Sequence, residues 1–459
     1  MDQSSGEPKL TLRLVVDEEK NKVVLAEADR DFVDVLFSLV TLPMGTIVRL
    51  LENHRKSESV TIGCFGNLYK SVVDMGVDDF ETEACKQMLV RPGSLRDVQC
   101  KRLKLSINPT DDVKYFECSS LTSCKMLSDF STSQCRCGKL MKEEVKLREK
   151  VEDKIQNGVF VRGRSSFIIT DDLIVAIRST DLILKKLKSA GCGDLSKVGE
   201  RLIDIGFEEV MTLLQCIFSS NAPLTDALLK KQIPQGLKTC QTPSPYTVRE
   251  SDESEQVITL SVIMSKHDMK VLYVECGEDF VDLVFTFLAV PLENVLQTSG
   301  NNSNFGCIGN LLKSFNDLRA TQVSTSEAVI PHYYKCQKQL LNIITAKRQS
   351  LVRTSDSEPM VLIDPKSNGN DQSTTEESGF AKRDTKFIVS DDLVITPMNS
   401  SSTFCLLKKL QIQAEDLEVQ EISISKTEAT SLLRASLLTS SALNAALWSL
   451  IAKKPEKET

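Results

Sequence analysis

Histidine is scarce in this 459-residue chain: there are three, His54, His267 and His332. None has a recognisable Cys or Ser partner motif, so His-dependent catalysis or a His-rich metal centre has little to draw on. An excess of positive charge is also missing. The 56 basic and 63 acidic residues give a net charge of -7, which argues against a protein whose main task is gripping nucleic-acid phosphates. Long apolar runs are absent too. The most apolar stretches, Phe32 to Met44 and Val281 to Leu292, each contain an Asp and fall short of the roughly 20 residues a bilayer span needs. The opening Met-Asp-Gln-Ser-Ser-Gly-Glu-Pro has neither the basic start nor the apolar core of a secretory signal. The expectation is a soluble intracellular protein, cytoplasmic or nuclear, with no membrane partner. Its 14 cysteines are then expected to be reduced, buried or metal-bound rather than disulfide-bonded.

What the chain does have is an internal repeat. Thr11 to Met44 aligns without a gap on Thr259 to Leu292, and eleven of the 34 positions are identical. The tightest block is Asp31-Phe32-Val33-Asp34 against Asp279-Phe280-Val281-Asp282. Gly63-Cys64-Phe65-Gly66-Asn67-Leu68 then matches Gly306-Cys307-Ile308-Gly309-Asn310-Leu311, and Asp171-Asp172-Leu173 matches Asp391-Asp392-Leu393. This period is domain-sized, far beyond that of solenoid repeats. The expected organisation is a first unit over residues 1–230 with a Cys-rich loop at 113–140, a polar linker at 231–256, and a second unit over 257–452. An unstructured insert is expected at 350–384, where Ser, Asn, Asp and Thr accumulate.

Within a unit, Leu10 to Val16 and Lys22 to Glu27 read as a β-hairpin. Phe32, Val33, Leu36, Leu39 and Val40 recur at helical spacing until Pro43. Short strands flank Asp171-Asp172 as a turn, and an apolar helix closes the unit. The predicted class is α+β: two tandem homologous units, each a hairpin plus helices followed by short strands and a helical end. Lys139 to Lys154 reads as a solvated helix or tether.

The best candidate for chemistry is Cys118, Cys124, Cys135 and Cys137, spaced Cys-x5-Cys-x10-Cys-x-Cys and followed by Gly138. Four thiolates suit tetrahedral zinc, and glycine lets the backbone turn tightly around a metal. Four cysteines leave no open position, so this would be a structural zinc site. The alternative is a loose loop with reduced thiols. The second unit carries Cys336 opposite Cys118 but no further cysteine until Cys405, so it is not expected to build the same site. Gly63, Gly66 and Lys70 have the wrong spacing for a phosphate loop, and a glycine turn into a helix is the plainer reading. Asp31 with Asp34, and Asp279 with Asp282, are expected to complement the helix dipole.

The hairpin opening, the Asp31 to Asp34 block, Gly63 to Leu68, Cys135-Arg136-Cys137-Gly138, the strands around Asp171-Asp172-Leu173 and Leu224-Thr225-Asp226-Ala227 together resemble the plant family catalogued as domain of unknown function 674. The resemblance covers nearly the whole chain. It implies a plant protein with repeated copies of this domain, and it brings no activity, substrate or catalytic residue. The second unit departs from the pattern: it lacks the Cys-x-Cys-Gly element and has Asn444-Ala445 where the first has Thr225-Asp226. Function is therefore expected to be non-enzymatic, a protein-interaction or scaffold role with protein partners and a structural zinc. The alternatives are an enzyme or small-ligand protein with its site near the Gly63 turn and Asp31, and, more weakly, nucleic-acid binding through the Cys loop and its lysines.

Overall fold

The computed structural model describes residues 9–54, 62–108, 114–118, 124–135, 137–148, 158–161, 165–192, 194–232, 257–298, 305–319, 328–336, 343–347, 351–353, 359–366, 379–410 and 414–451. In Leu10–Asp17, Leu10, Leu12 and Leu14 are buried while Thr11 and Arg13 are exposed. That alternation fixes which face of the strand meets the core. The strand folds back on Lys22–Ala28 through a turn in which Asn21 has φ 47°. The C-terminal half repeats the device with Ile258–Ser265, Val271–Cys276 and Met269 at φ 54°. Both hairpins slip register at the same place, Val15/Val16 and Ile263/Met264.

Each hairpin is the centre of a five-stranded sheet, and the described class is α+β. The first sheet runs Val175–Ile177, Phe167–Thr170, Lys22–Ala28, Leu10–Asp17, Val198–Ile205, all antiparallel. The second runs Ile395–Pro397, Phe387–Ser390, Val271–Cys276, Ile258–Ser265, Leu417–Ile424 in the same order and sense. The Asp171-Asp172 turn lies between adjacent strands, as expected, with Leu173 left-handed at φ 63° and Leu393 at φ 60°. A left-handed leucine costs about 1–2 kcal/mol. Both leucines are fully buried, which offsets that cost.

The two halves interlock. The helices Arg30–Thr41 and Glu278–Thr286 are buried all round from Phe32 and Phe280 onward, as befits central helices. Just beyond them, Pro43 bridges Pro291. Met44 N–H donates to Val290 O at 3.0 Å, and Leu292 N–H donates to Leu42 O at 3.0 Å. This is a two-fold-like pair built from one chain. The next helix of each half crosses over. Phe65–Asp74 lies against the second sheet and Gly306–Leu318 against the first. Phe37 meets Phe315 edge-on at 5.3 Å, and Phe285 stacks on Phe80 at 6.0 Å. One contiguous apolar core therefore runs through both halves.

Two expectations are corrected. Part of the 350–384 insert is ordered: Leu351–Arg353 and Pro359–Leu362 are strands, and Phe380 and Ala381 are buried. Residues 354–358 and 367–378 lie outside the described residues. In the segment read as a solvated helix or tether, Met141–Val145 and Leu147–Arg148 are strands; 149–154 lie outside the described residues, as do 233–256 of the expected linker. Among the described residues, no helix is long and apolar enough to cross a membrane.

Candidate metal centre

The blocks most alike between the halves hold backbone in place. Asp34 is buried and accepts hydrogen bonds from the N–H groups of Val159, Phe160 and Val161 at 2.7, 2.8 and 3.1 Å. Asp282 accepts from Phe380 and Ala381, each at 2.8 Å. This corrects the dipole reading for the second carboxylate of each block. Asp31 lies in the first helical turn, but Asp34 and Asp282 are anchors for a distant loop. Gly158 and Gly379 let that loop close in, because a Cβ on either would collide with the anchoring carboxylate. Burial raises the pKa of Asp34, and lifts Asp282 to about 7 despite its two donors.

The Gly63 block makes the crossing contact. Gly63 has φ +48°, and a Cβ there would strike the carbonyls of Ser436 and Leu437. Cys64 N–H donates to Ser436 O at 2.8 Å. Asn67 donates to the Asp392 carbonyl at 3.0 Å, and Ser71 Oγ accepts from Ile395 N–H at 2.9 Å. The other half mirrors this: Asn310 donates to the Asp172 carbonyl at 2.9 Å, and Ser314 Oγ accepts from Val175 N–H at 2.9 Å. Asp171 in turn accepts from Thr225 N–H and Oγ1 at 2.9 and 2.7 Å, while Thr225 Oγ1 accepts from Val23 N–H. Asn444, the departure noted above, fills the same place. Its N–H donates to Asp391 at 2.8 Å, and its side chain pairs with both backbone groups of Val271.

The four cysteines come together. Tyr115–Cys118 pairs antiparallel with Met126–Ser128 and with Met141–Val145. This places Cys118 at a strand end and Cys124 just before the neighbouring strand. Cys135 and Cys137 sit on a tight turn: Cys135 N–H donates to Lys139 O and Gly138 N–H to Cys135 O, both at 2.8 Å. Gly138 has φ +80°, the left-handed region that glycine enters without strain. The ligand atoms of all four lie within 4.8 Å of one another, and Cys118 Sγ is 3.3 Å from Cys137 Sγ. Tetrahedral zinc with Zn–S near 2.3 Å spaces its sulfurs by about 3.8 Å, so the arrangement fits a four-thiolate metal site. Cys118 and Cys135 are buried against Met141, with Phe116, Met126 and Ile363 around them; Cys137 is exposed. The Lys139 N–H and the neighbouring thiols hold Cys137 down to about 7, whereas burial pushes Cys135 up to about 12. A divalent cation would displace the remaining thiol protons, since it stabilises every thiolate at once.

This cluster is tied to the second half. Met126–Ser128 also pairs in parallel with Pro359–Leu362. Val361 N–H donates to Lys125 O at 3.1 Å and Ile363 N–H to Leu127 O at 2.8 Å. A six-stranded sheet of mixed origin results. Sequence reasoning missed what lies beyond it. Lys366 is buried, with Nζ bonded to the Tyr333 carbonyl and to Asp364 Oδ2, and 5.3 Å from the centre of the Phe380 ring. Asp129, just after the strand Met126–Ser128, is raised by burial to about 7, an effect the Tyr333 hydroxyl moderates. The signal available was the apolar run Met360-Val361-Leu362-Ile363 inside the Ser-rich stretch.

No curated protein and no solved structure matches the chain. The family described as "Protein of unknown function (DUF674)" matches residues 6–427, nearly the whole length, and the chain belongs to that family.

Proposed function

We propose that the chain is a non-enzymatic interaction or scaffold protein, with one structural zinc ion held by Cys118, Cys124, Cys135 and Cys137. The observation that carries the reading is the convergence of four thiols around one point. Four thiolates complete a tetrahedral shell, so zinc bound there would fix loops and present no position to a substrate. The cysteine residues supply the ligands, Gly138 the turn, and Met126–Ser128 the connection to the second half. The use of Asp34, Asp282, Asn67 and Asn310 to hold backbone also supports a binding scaffold. Protein partners are the expected targets, with the mixed sheet as the surface on which the two halves differ.

Metal analysis of the full chain, purified under reducing conditions, tests the zinc. About one zinc per chain is expected, lost in Cys135→Ser and Cys137→Ser. Metal-free protein, or metal that survives both substitutions, would overturn the assignment. A thermal-shift screen with nucleotides and metabolites tests the scaffold role. A ligand that raises the midpoint and is turned over would favour an enzyme instead.

A further inference from the structure

The cluster has an asymmetry that tetrahedral ligation does not require. Cys118 and Cys135 are shut away from solvent, Cys124 is half-buried, and Cys137 stands exposed on its turn. The exposed sulfur also has a buried neighbour close at hand, Cys118 Sγ at 3.3 Å. A disulfide needs about 2.05 Å, so closing the pair moves the sulfurs by little more than 1 Å. Cys135 is a poorer partner for Cys137: only Arg136 separates them, and Cys135 is already tied to Lys139 and Gly138 by backbone hydrogen bonds. Cys118 ends the strand Tyr115–Cys118, and its bond to Cys137 would close a longer loop than a Cys135–Cys137 bond.

We infer that Cys118 and Cys137 form an oxidisable thiol pair, which a hydroperoxide converts to a disulfide and so opens the four-cysteine cluster. In the first step the Cys137 sulfur attacks a peroxide oxygen. The O–O bond breaks, the leaving oxygen takes up the Cys137 thiol proton and departs as the alcohol (or water, for hydrogen peroxide), and Cys137 becomes a sulfenic acid. In the second, the Cys118 sulfur attacks the Cys137 sulfur. The S–O bond breaks, the S–S bond forms, and the Cys118 proton leaves with the hydroxide as water. Two thiols and one hydroperoxide give one disulfide, one alcohol and one water. The peroxide gains the two electrons that the sulfurs lose. A cation held by all four cysteines then keeps only Cys124 and Cys135 and is released.

The inference uses the cluster assigned above to zinc, but pair closure does not itself need the metal. The full chain is freed of reductant, treated with hydrogen peroxide, alkylated, digested and mapped by mass spectrometry, with a chromogenic chelator present to report released zinc. A crosslinked peptide joining Cys118 to Cys137, lighter by about 2 Da than the two free thiol peptides together, is expected. It should be lost in Cys118→Ser and in Cys137→Ser, the second at an exposed position. Cys405→Ser, at the other exposed cysteine among the described residues, should leave it unchanged. Oxidation of Cys137 to a sulfinic acid without crosslinking, pairing of Cys137 with another cysteine, or a cluster that stays reduced while Cys405 reacts would each overturn the inference. If the reduced protein holds no zinc and the pair still closes, the metal assignment falls and this inference stands. If zinc is present and stays bound through the treatment, this inference falls and the metal assignment stands.

Discussion

Lys114 to Cys118 and His332 to Cys336 align in sequence, yet they fold differently. The first is a strand ending on a cysteine of the four-thiol cluster. The second makes a 3-10 turn at His332–Tyr334, and Cys336 is buried near Asp282, Lys366 and Cys85, its thiol held well above the ordinary range by burial. Tyr334 reaches into the N-terminal half, accepting from Gly93 N–H at 2.9 Å and donating to Met88 O at 3.0 Å. One segment thus builds a thiol cluster near the surface, and its counterpart builds a brace between the halves. The comparison shows where divergence was tolerated. The crossing residues Asn67 and Ser71 are matched by Asn310 and Ser314, and each of them bonds the opposite half. The segments between them are free of that reciprocity.

The largest effect is expected where the halves are alike. Asp34→Ala strands three backbone donors and Asp282→Ala strands two. At about 1–3 kcal/mol for each buried unsatisfied group, both should destabilise by at least 2–3 kcal/mol in chemical denaturation. A loss confined to one variant would break the equivalence. Next, Tyr334→Phe leaves Gly93 N–H and Met88 O without their partner, at a cost of about 2–3 kcal/mol. The position aligned with Tyr334 is Phe116, which has no hydroxyl to lose; Tyr115→Phe, one residue before it, should cost less than Tyr334→Phe, and equal losses would erase the contrast between brace and cluster.

A smaller effect concerns pH. Burial lifts Asp97 to about 6 and Asp129 to about 7, above the ordinary 3.8. Asp364 raises Asp129 further, while the Tyr333 hydroxyl lowers it. The folded chain therefore keeps protons that the unfolded chain has released. Their stabilising contribution is complete below the ordinary value, and is lost as pH rises through about 6 to 7. Denaturation midpoints should fall between pH 5.5 and 8, and Asp129→Asn should flatten the fall; an unchanged slope would refute this account. The smallest effect is expected for Asn444→Thr, which installs the residue the first half uses. Threonine loses the donation to Val271 O but gains one to Asp391, so stability should change by less than about 1 kcal/mol.

The sequence revealed whatever depended on nearby residues. Both hairpins, the helix ended by Pro43 and the Asp171-Asp172 turn follow from alternation, helical spacing and turn chemistry. The four cysteines were named from residue type, their spacing and the glycine that follows them. What stayed hidden depends on partners far along the chain. Asp34 sits where a carboxylate in a helical block ordinarily serves the dipole, and nothing local reveals donors at 159–161. The strand Pro359–Leu362 was masked by polar flanks, because its pairing partner lies at Met126 and Leu127. A four-residue apolar run carries too little periodicity to outweigh such neighbours.

The crossed helices also set a schedule for synthesis. Ser71 must find the amide of Ile395, 324 residues later. A ribosome adding roughly 5–20 residues per second needs about 16–65 s to deliver that partner. Through that interval the N-terminal half is on hand with the part of Phe65–Asp74 that faces Ile395–Pro397 uncovered. A nascent chain in that interval exposes apolar surface of the kind that invites aggregation, and slower translation of residues 231–256 would lengthen the exposure.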